Sequence, residues 1–207
     1  MNIAILGATG TFGSALTKSL MKDTDYNLTL ISRHADKHYQ NDSRITAVNA
    51  DATNEDQLKS ALKGADIVYC AVSGEQLPLV AESLVNVMPK LNISRLLFMG
   101  AVGIYNEIPA DIDDDDNLDN EPAQVPNRKA VDIIEASNLN YTVLRPGYLR
   151  DGSADDYVIT LKGEPAKGYI STISSVIELV KKLIADEKMY YRQSVSITRD
   201  FTKNKTI

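Results

Sequence analysis

The sequence predicts an α/β fold: a doubly wound parallel sheet in three layers, with helices on both faces and a reduced C-terminal portion. Three observations predict it. Short apolar runs of strand character alternate with helical patterns along the chain, the rhythm that builds parallel crossovers. Arg95-Leu96-Leu97-Phe98-Met99-Gly100 is nearly continuous in apolar character, as a strand covered on both faces must be. A glycine-rich turn joins the first strand to the first helix. At 207 residues the chain suits one domain over 1–207, its last part mainly 146–207; a chain of this size buries roughly 70% of its unfolded surface.

Asn2-Ile3-Ala4-Ile5-Leu6 is the first strand, and Gly7-Ala8-Thr9-Gly10-Thr11-Phe12-Gly13 follows at once. From Phe12, apolar residues recur at Ala15, Leu16 and Leu20, which is helical spacing. Strand, glycine turn and helix in that order form a dinucleotide-binding crossover. Gly7 lets the chain reverse, Gly10 removes the side chain that would block a pyrophosphate, and Gly13 lets helix and strand pack closely. Phosphates would face the unpaired N–H groups of this turn, with Thr9, Thr11 and Phe12 in the cradle, and roughly half a positive charge at the helix N-terminus.

Asn27-Leu28-Thr29-Leu30-Ile31-Ser32 reads as the second strand, followed by Arg33 and His34 with no acid until Asp36. An acidic residue just past this strand holds a ribose 2′-hydroxyl, whereas an arginine pairs with a 2′-phosphate. Ser32 and Arg33 therefore predict NADP(H) in preference to NAD(H). Ile45 to Asn49 is the third strand, followed by Asp51 and Ala52. Thr53-Asn54-Glu55-Asp56 looks like a helix cap with acids in its first turn, and Gly64 ends that helix.

Ala65 to Val72 is the fourth strand, closing in Ser73-Gly74. Leu77, Val80, Ala81, Leu84, Val87/Met88 and Leu91 mark an amphipathic helix. After the fifth strand, Gly100 to Tyr105 falls beyond a carboxyl end, where ligands of such sheets sit. The acidic run Asp111 to Asp116 lacks the glycine and glutamate of a calcium loop and is expected to be a solvated, mobile loop able to flap over a cleft. Asn127 to Ser137 reads as a helix and Asn140 to Gly147 as the sixth strand. Asp151 to Gly163 is polar, and Gly168-Tyr169-Ile170 reads as a short strand. Ile173, Val176, Ile177, Val180, Leu183 and Ile184 define a helix, Ser194 to Thr198 a final alternating strand, and Lys203 to Lys205 a frayed tail.

Composition excludes several classes. Net charge is −6, which disfavours a nucleic-acid footprint. No apolar run approaches the roughly 20 residues of a membrane span, and with the first strand starting one residue after Met1 no cleaved leader is expected. Cys70 is the only cysteine, so neither a disulfide nor a cysteine metal cluster can form within the chain. His34 and His38 have no metal partner and read as surface residues on the adenosine side; no metal site is expected. A cytoplasmic monomer or weak homodimer is the expectation.

Gly7-Ala8-Thr9-Gly10-x-x-Gly13 at the N-terminus and the Arg145-Pro146-Gly147 exit of the sixth strand together resemble the extended and atypical short-chain dehydrogenase/reductases. Within them the chain looks like the small NAD(P)H-binding Rossmann proteins, the branch of flavin and biliverdin reductase-like proteins and nitrogen-metabolite-repressor-like sensors. The resemblance implies that Asp51, with Ala52, meets the adenine edge, and that Ala71, Val72 and Ser73 line the passage of a ribose. It places Gly100 and Ala101 beside the cofactor, Pro146, Gly147 and Tyr148 against the nicotinamide, and Lys129 on its ribose.

Relatives that reduce ordinary carbonyls use Ser, Tyr and Lys in a Tyr-x-x-x-Lys arrangement, the tyrosine protonating the nascent alkoxide. Here Lys129 matches the lysine, but Val125 stands four residues before it, and the stretch after the fifth strand is Gly100-Ala101-Val102-Gly103 without serine. Tyr105 is the nearest substitute proton donor, with Lys129 as the second catalytic candidate. Two functions follow. One is an NADPH-dependent reductase of a flavin, quinone or similar conjugated small molecule, with Gly100, Ala101 and Gly103 leaving room for a flat ring and solvent supplying the proton. The alternative is a non-catalytic module that senses NADP(H).

Overall fold

The computed structural model describes residues 1–154 and 157–201. Along the chain run β1 (Asn2–Leu6), α1 (Thr11–Asp23), β2 (Asn27–Ser32), β3 (Ile45–Asn49), α2 (Glu55–Ala61), β4 (Ile67–Cys70), α3 (Leu77–Val87) and β5 (Arg95–Met99). After them come α4 (Val125–Ala136), β6 (Asn140–Pro146), β7 (Tyr148–Arg150), β8 (Val158–Leu161), β9 (Ile170–Thr172), α5 (Ile173–Ala185) and β10 (Gln193–Thr198). The main sheet is 8-stranded in the order β3-β2-β1-β4-β5-β6-β10-β8. Every neighbouring pair is parallel except β10 with β8. Strands β7 and β9 pair separately, in parallel. The doubly wound parallel sheet expected from the alternating pattern is present, with one antiparallel edge.

Pleating divides the core in two, because successive side chains leave a strand on opposite faces. On β1, Ala4 and Leu6 join the layer built by α2, α3 and α4, whereas Ile3 and Ile5 join the layer built by α1 and α5. Leu96 and Phe98 of β5 follow the first layer, Leu97 and Met99 the second. Helix α5 buries Val176, Leu179, Val180, Leu183 and Ile184, and each such side chain contributes about 1.5–3 kcal/mol on leaving water.

Local signals decide most boundaries. Asn54 caps α2 by accepting from the amide of Gln57, with Glu55 and Asp56 in the first turn. Helix α3 stops at Val87, short of Leu91, because Pro89 opens a 3-10 turn that ends on left-handed Asn92, φ 59. Helix α4 begins at Val125, ahead of the expected Asn127: a proline in the first turn loses no helical hydrogen bond, so Pro126 is accommodated.

Two strands lie where none was expected. Strand β8 interrupts the polar stretch 151–163 and pairs antiparallel with β10, Ile197 opposite Ile159. As an edge strand with partly exposed residues, it needs no continuous apolar run. Strand β7 extends the exit of β6. The expected frayed tail at 203–205 lies outside the described residues. No helix among the described residues is long and apolar enough to cross a membrane.

Candidate functional site

Sheet order reverses around β1, which lies between β2 and β4, and ligands of open α/β sheets settle outside the carboxyl ends at such a point. The Gly7–Gly13 turn occupies that position. Gly7 has φ +74, and a Cβ there would stand 2.7 Å from the Ala71 carbonyl oxygen. A Cβ on Gly13 would meet the Gly7 oxygen at 2.2 Å, so only glycine lets α1 start this close to the turn. Gly10 differs: its added Cβ would meet just the Gly7 oxygen, at 3.3 Å. The space it leaves opens outward, away from protein packing.

The amides of Gly7 and Ala8 bond the Ile31 carbonyl and that of Gly10 bonds Gly7 at 3.0 Å. Among the described residues, the amides of Thr9, Thr11, Phe12 and Gly13 donate to no protein acceptor. Helix α1 has no acid in its first turn. Four open donors at a positive helix end, uncontested by carboxylates, fit a pyrophosphate. Tyr39, which sequence reasoning overlooked, braces the turn from 31 residues away by donating to the Ala8 carbonyl at 2.6 Å; burial raises the pKa of this phenol.

The turn forms one wall of a cavity of about 340 Å³. Gly7, Thr9, Gly10, Ser32, Arg33, Asp51, Ala52, Ala71, Val72 and Ser73 line it together, from the carboxyl ends of β1 to β4. Asp51 accepts from both the amide and the hydroxyl of Thr53, at 2.9 and 2.8 Å. These bonds hold its carboxyl below the usual range, with a smaller contribution from the Arg33 charge. His34, His38, Thr53 and Gln76 also line the cavity. The two histidines are exposed, as expected, but they face the cleft mouth; their place directly after β2 was the available signal.

Other expected residues do not line this cavity. Thr11 is exposed at the start of α1, Phe12 packs into the α1–α5 layer, and Gly13 is buried. The space beside Gly100 is taken by Val131 and Val143, each 3.3 Å from its added Cβ, and that beside Gly103 by the Asp116 carbonyl at 2.2 Å. Ala101 packs on the α2–α4 layer. Smallness here serves packing, which corrects the expectation of room for a flat ring. Pro146 is buried, and Gly147 lies where a Cβ would meet the Tyr169 oxygen at 1.7 Å. Tyr148 is 50% exposed, stacked on Tyr169 at 6.1 Å and capped by Arg150 at 4.7 Å. Lys129 is exposed on α4, engages no protein acceptor among the described residues, and does not line the cavity.

Tyr105 is held away from the cleft. Its hydroxyl donates to Glu135 at 2.8 Å and meets Ser194 at 3.1 Å. Arg128, Arg145 and Lys162 surround its ring at 4.7–4.9 Å. Burial raises its pKa, and every contact named is structural. The acidic run is likewise pinned, contrary to the expected free flap. Tyr169 donates to the Asp116 carboxylate, and Asn117 both accepts from the Ile108 amide and donates to its carbonyl at 3.0 and 2.9 Å. No group that could hold a metal ion occurs among the described residues.

A second cavity, of about 320 Å³, opens where that pinned loop meets the C-terminal segment, between Pro109, Asp111, Ile112, Pro165, Ala166, Lys167 and Phe201. Its floor adjoins the apolar cluster of Val102, Ile108 and Ala166.

A family model described as NAD(P)H-binding matches residues 7–187. The chain belongs to the NAD(P)H-binding family. The family match runs from the first glycine of the turn to the end of α5. A Rossmann-fold NAD(P)-binding family protein of Shigella flexneri is 30% identical, covering 97% of this chain and 94% of that one, with a TM-score of 0.82. A short-chain dehydrogenase/reductase of Veillonella parvula DSM 2008, solved in complex with NADP, is 26% identical with a TM-score of 0.86, covering 97% and 95%. A Bacillus subtilis (strain 168) protein named an uncharacterized sugar epimerase is 24% identical over 218 residues, 98% of this chain and 96% of that protein. The NAD(P)H-binding family and Rossmann fold of the present chain agree with the resemblance to atypical short-chain dehydrogenase/reductases.

Proposed function

We propose that this NAD(P)H-binding protein is a reductase, with NADPH preferred, that transfers hydride directly to a flavin, quinone or similar conjugated acceptor. The observation that carries the reading is the open phosphate cradle, beside which Val125 stands in the place of the family's tyrosine and the Tyr105 hydroxyl is occupied by Glu135 and Ser194. Thr9, Thr11, Phe12 and Gly13 offer bare amides beside the open face of Gly10, which suits the pyrophosphate. Arg33, at the far wall of the same cavity, suits a 2′-phosphate as a fork of donors. Asp51, fixed by Thr53, suits the adenine edge, and Lys129, exposed on α4 and bonded to no protein acceptor among the described residues, suits the nicotinamide ribose.

A bound reduced nicotinamide supplies a hydride. The chain's contribution is placement: the turn holds the pyrophosphate in the middle of the cofactor, Arg33 holds the adenosine end, and Pro146 to Tyr148 border the reacting end. The Tyr105 hydroxyl donates its proton in a hydrogen bond to Glu135 and also meets Ser194, so it is not assigned the transfer of a proton. A conjugated acceptor tolerates this, because the charge delivered with the hydride spreads over the ring and water can supply the proton. A simple carbonyl needs a placed acid, and the position that supplies it in the Tyr-x-x-x-Lys arrangement holds Val125 here. The apolar cavity beside Ile112 and Ala166 suits the acceptor's flat body.

Absorbance of reduced nicotinamide, followed with FMN, riboflavin and a soluble quinone in turn, tests the reading. NADPH oxidation that disappears in Gly10→Val supports it. Tight NADPH binding without turnover on any of these acceptors would replace it with the sensing function.

A further inference from the structure

Most arginines here are engaged. Arg44, Arg95, Arg128, Arg145 and Arg192 all donate from their side chains to protein acceptors. Among the described residues, the side chains of Arg33, Arg150 and Arg199 make no such bond. Arg33 faces the dinucleotide cavity. The other two flank β9, toward the opposite end of the same sheet edge. Arg199 directly follows the last residue of β10, whose Ile197 is level with Pro146 at the end of β6. Its amide bonds Ile170 at 2.7 Å on one side of β9, while β7 sets Arg150 level with Thr172 on the other.

The guanidinium of Arg199 is held in place by shape alone. A Cβ at Gly152 would lie 2.0 Å from its Nη2 and 2.9 Å from a Thr172 methyl, so glycine at 152 makes the room it occupies. Its Nε is buried and has no hydrogen-bond partner. Arg95 and Arg145 leave the same nitrogen unbonded, but both bond protein acceptors through their Nη groups; among the described residues the Nη groups of Arg199 bond none. A charged donor left unbonded is costly, and this chain of net charge −6 has carboxylates enough to neutralise it. Arg150 is also committed to the surface, its guanidinium over the half-exposed ring of Tyr148 at 4.7 Å.

We propose that Arg199, supported by Arg150, forms an anion-binding subsite for the acceptor, so that the molecule reduced carries a carboxylate or phosphate beside its conjugated body. This rests on the reductase reading and extends it to the class of substrate. Arg199 lies past the carboxyl end of β10, next to the segment bordering the reacting end of the cofactor, and a planar fork of donors suits an anionic oxygen pair.

Paired probes test it on the protein loaded with NADP⁺. FMN against riboflavin isolates a phosphate, and biliverdin against its dimethyl ester isolates carboxylates; binding is read from flavin fluorescence and biliverdin absorbance. At least one anionic member should bind roughly tenfold or more tightly than its neutral partner, the range of a charge-assisted bond. Arg199→Gln should erase that preference and Arg199→Lys should keep most of it. Neither variant should change the affinity for NADPH or the thermal midpoint. A preference missing in both pairs, or surviving in Arg199→Gln, overturns the subsite. NADPH that fails to bind the unaltered protein, or is never oxidised, overturns instead the reading on which the subsite rests.

Discussion

Arg145 and Glu107 form an ion pair sealed inside the protein, with the guanidinium 0% and the carboxylate 5% exposed. The same carboxylate accepts the Tyr105 amide at 2.9 Å, and the Glu107 carbonyl accepts the Ala166 amide at 2.8 Å. One residue thus ties β6, the loop after β5 and the C-terminal segment together. Burial works against the charge of Arg145, so each partner depends on the other. Glu107→Leu should lower unfolding free energy by about 3–5 kcal/mol, the usual consequence of stranding a buried charge. Urea denaturation checks this, and adding Arg145→Met should recover a large part of the loss. A Glu107→Leu midpoint equal to that of the unaltered protein would contradict the argument.

The last two glycines of the turn should separate stability from binding. Gly13→Ala drives a Cβ to 2.2 Å from the Gly7 oxygen and 2.8 Å from the Ala8 Cα, so the midpoint should fall along with NADPH binding. Gly10→Ala meets protein only at 3.3 Å and should keep the native midpoint while weakening NADPH at least tenfold. Thermal melts beside cofactor fluorescence titrations distinguish the two.

Arg33→Ala should reduce affinity for NADPH by roughly tenfold to a hundredfold, the range of a charge-assisted bond, and leave NADH nearly unchanged. An unaltered ratio between the two coenzymes would remove Arg33 from the phosphate.

Tyr105→Phe should keep turnover within about twofold while losing about 1 kcal/mol of stability, because its hydroxyl bonds Glu135 and Ser194. A drop of two orders of magnitude in kcat at an unchanged midpoint would restore it as the proton donor.

Cys70 should resist thiol reagents at pH 8 until the protein unfolds, since burial pushes its thiol from about 9 up to about 12 and the thiolate is the reacting form. The sign is set by the neutral thiol being favoured in the folded state. Its contribution to stability is complete below the unfolded pKa and is lost as pH rises toward the folded one. Stability should therefore decline between pH 9 and 12, less steeply in Cys70→Ala. Rapid native labelling at pH 8 would contradict the buried position.

What could be read directly from residue order was what neighbours in sequence decide. The crossover at Gly7–Gly13, the Asn54 cap of α2, the apolar stripe of α5 and the run of β5 depend on interactions within a few residues, and each was legible. The position of Arg33 and Asp51 on the cavity wall was legible for the same reason: each follows a recognisable strand in a sheet whose geometry brings those ends together. The family's Tyr-x-x-x-Lys spacing could be checked, and found broken at Val125, by counting alone.

Tertiary structure decided the rest, because the deciding partners are far apart in the chain. Strand β8 exists through the edge of β10, about 36 residues later at the Thr160–Ser196 pair. Tyr105 looked like an available acid until Glu135 and Ser194, 30 and 89 residues away, occupied its hydroxyl. Gly100 and Gly103 looked like open space until Val131, Val143 and Asp116 filled it. Local pattern settles where helices and strands form; whether a polar group is free or a small residue leaves a void is set by what packs against it, which no single stretch of sequence contains.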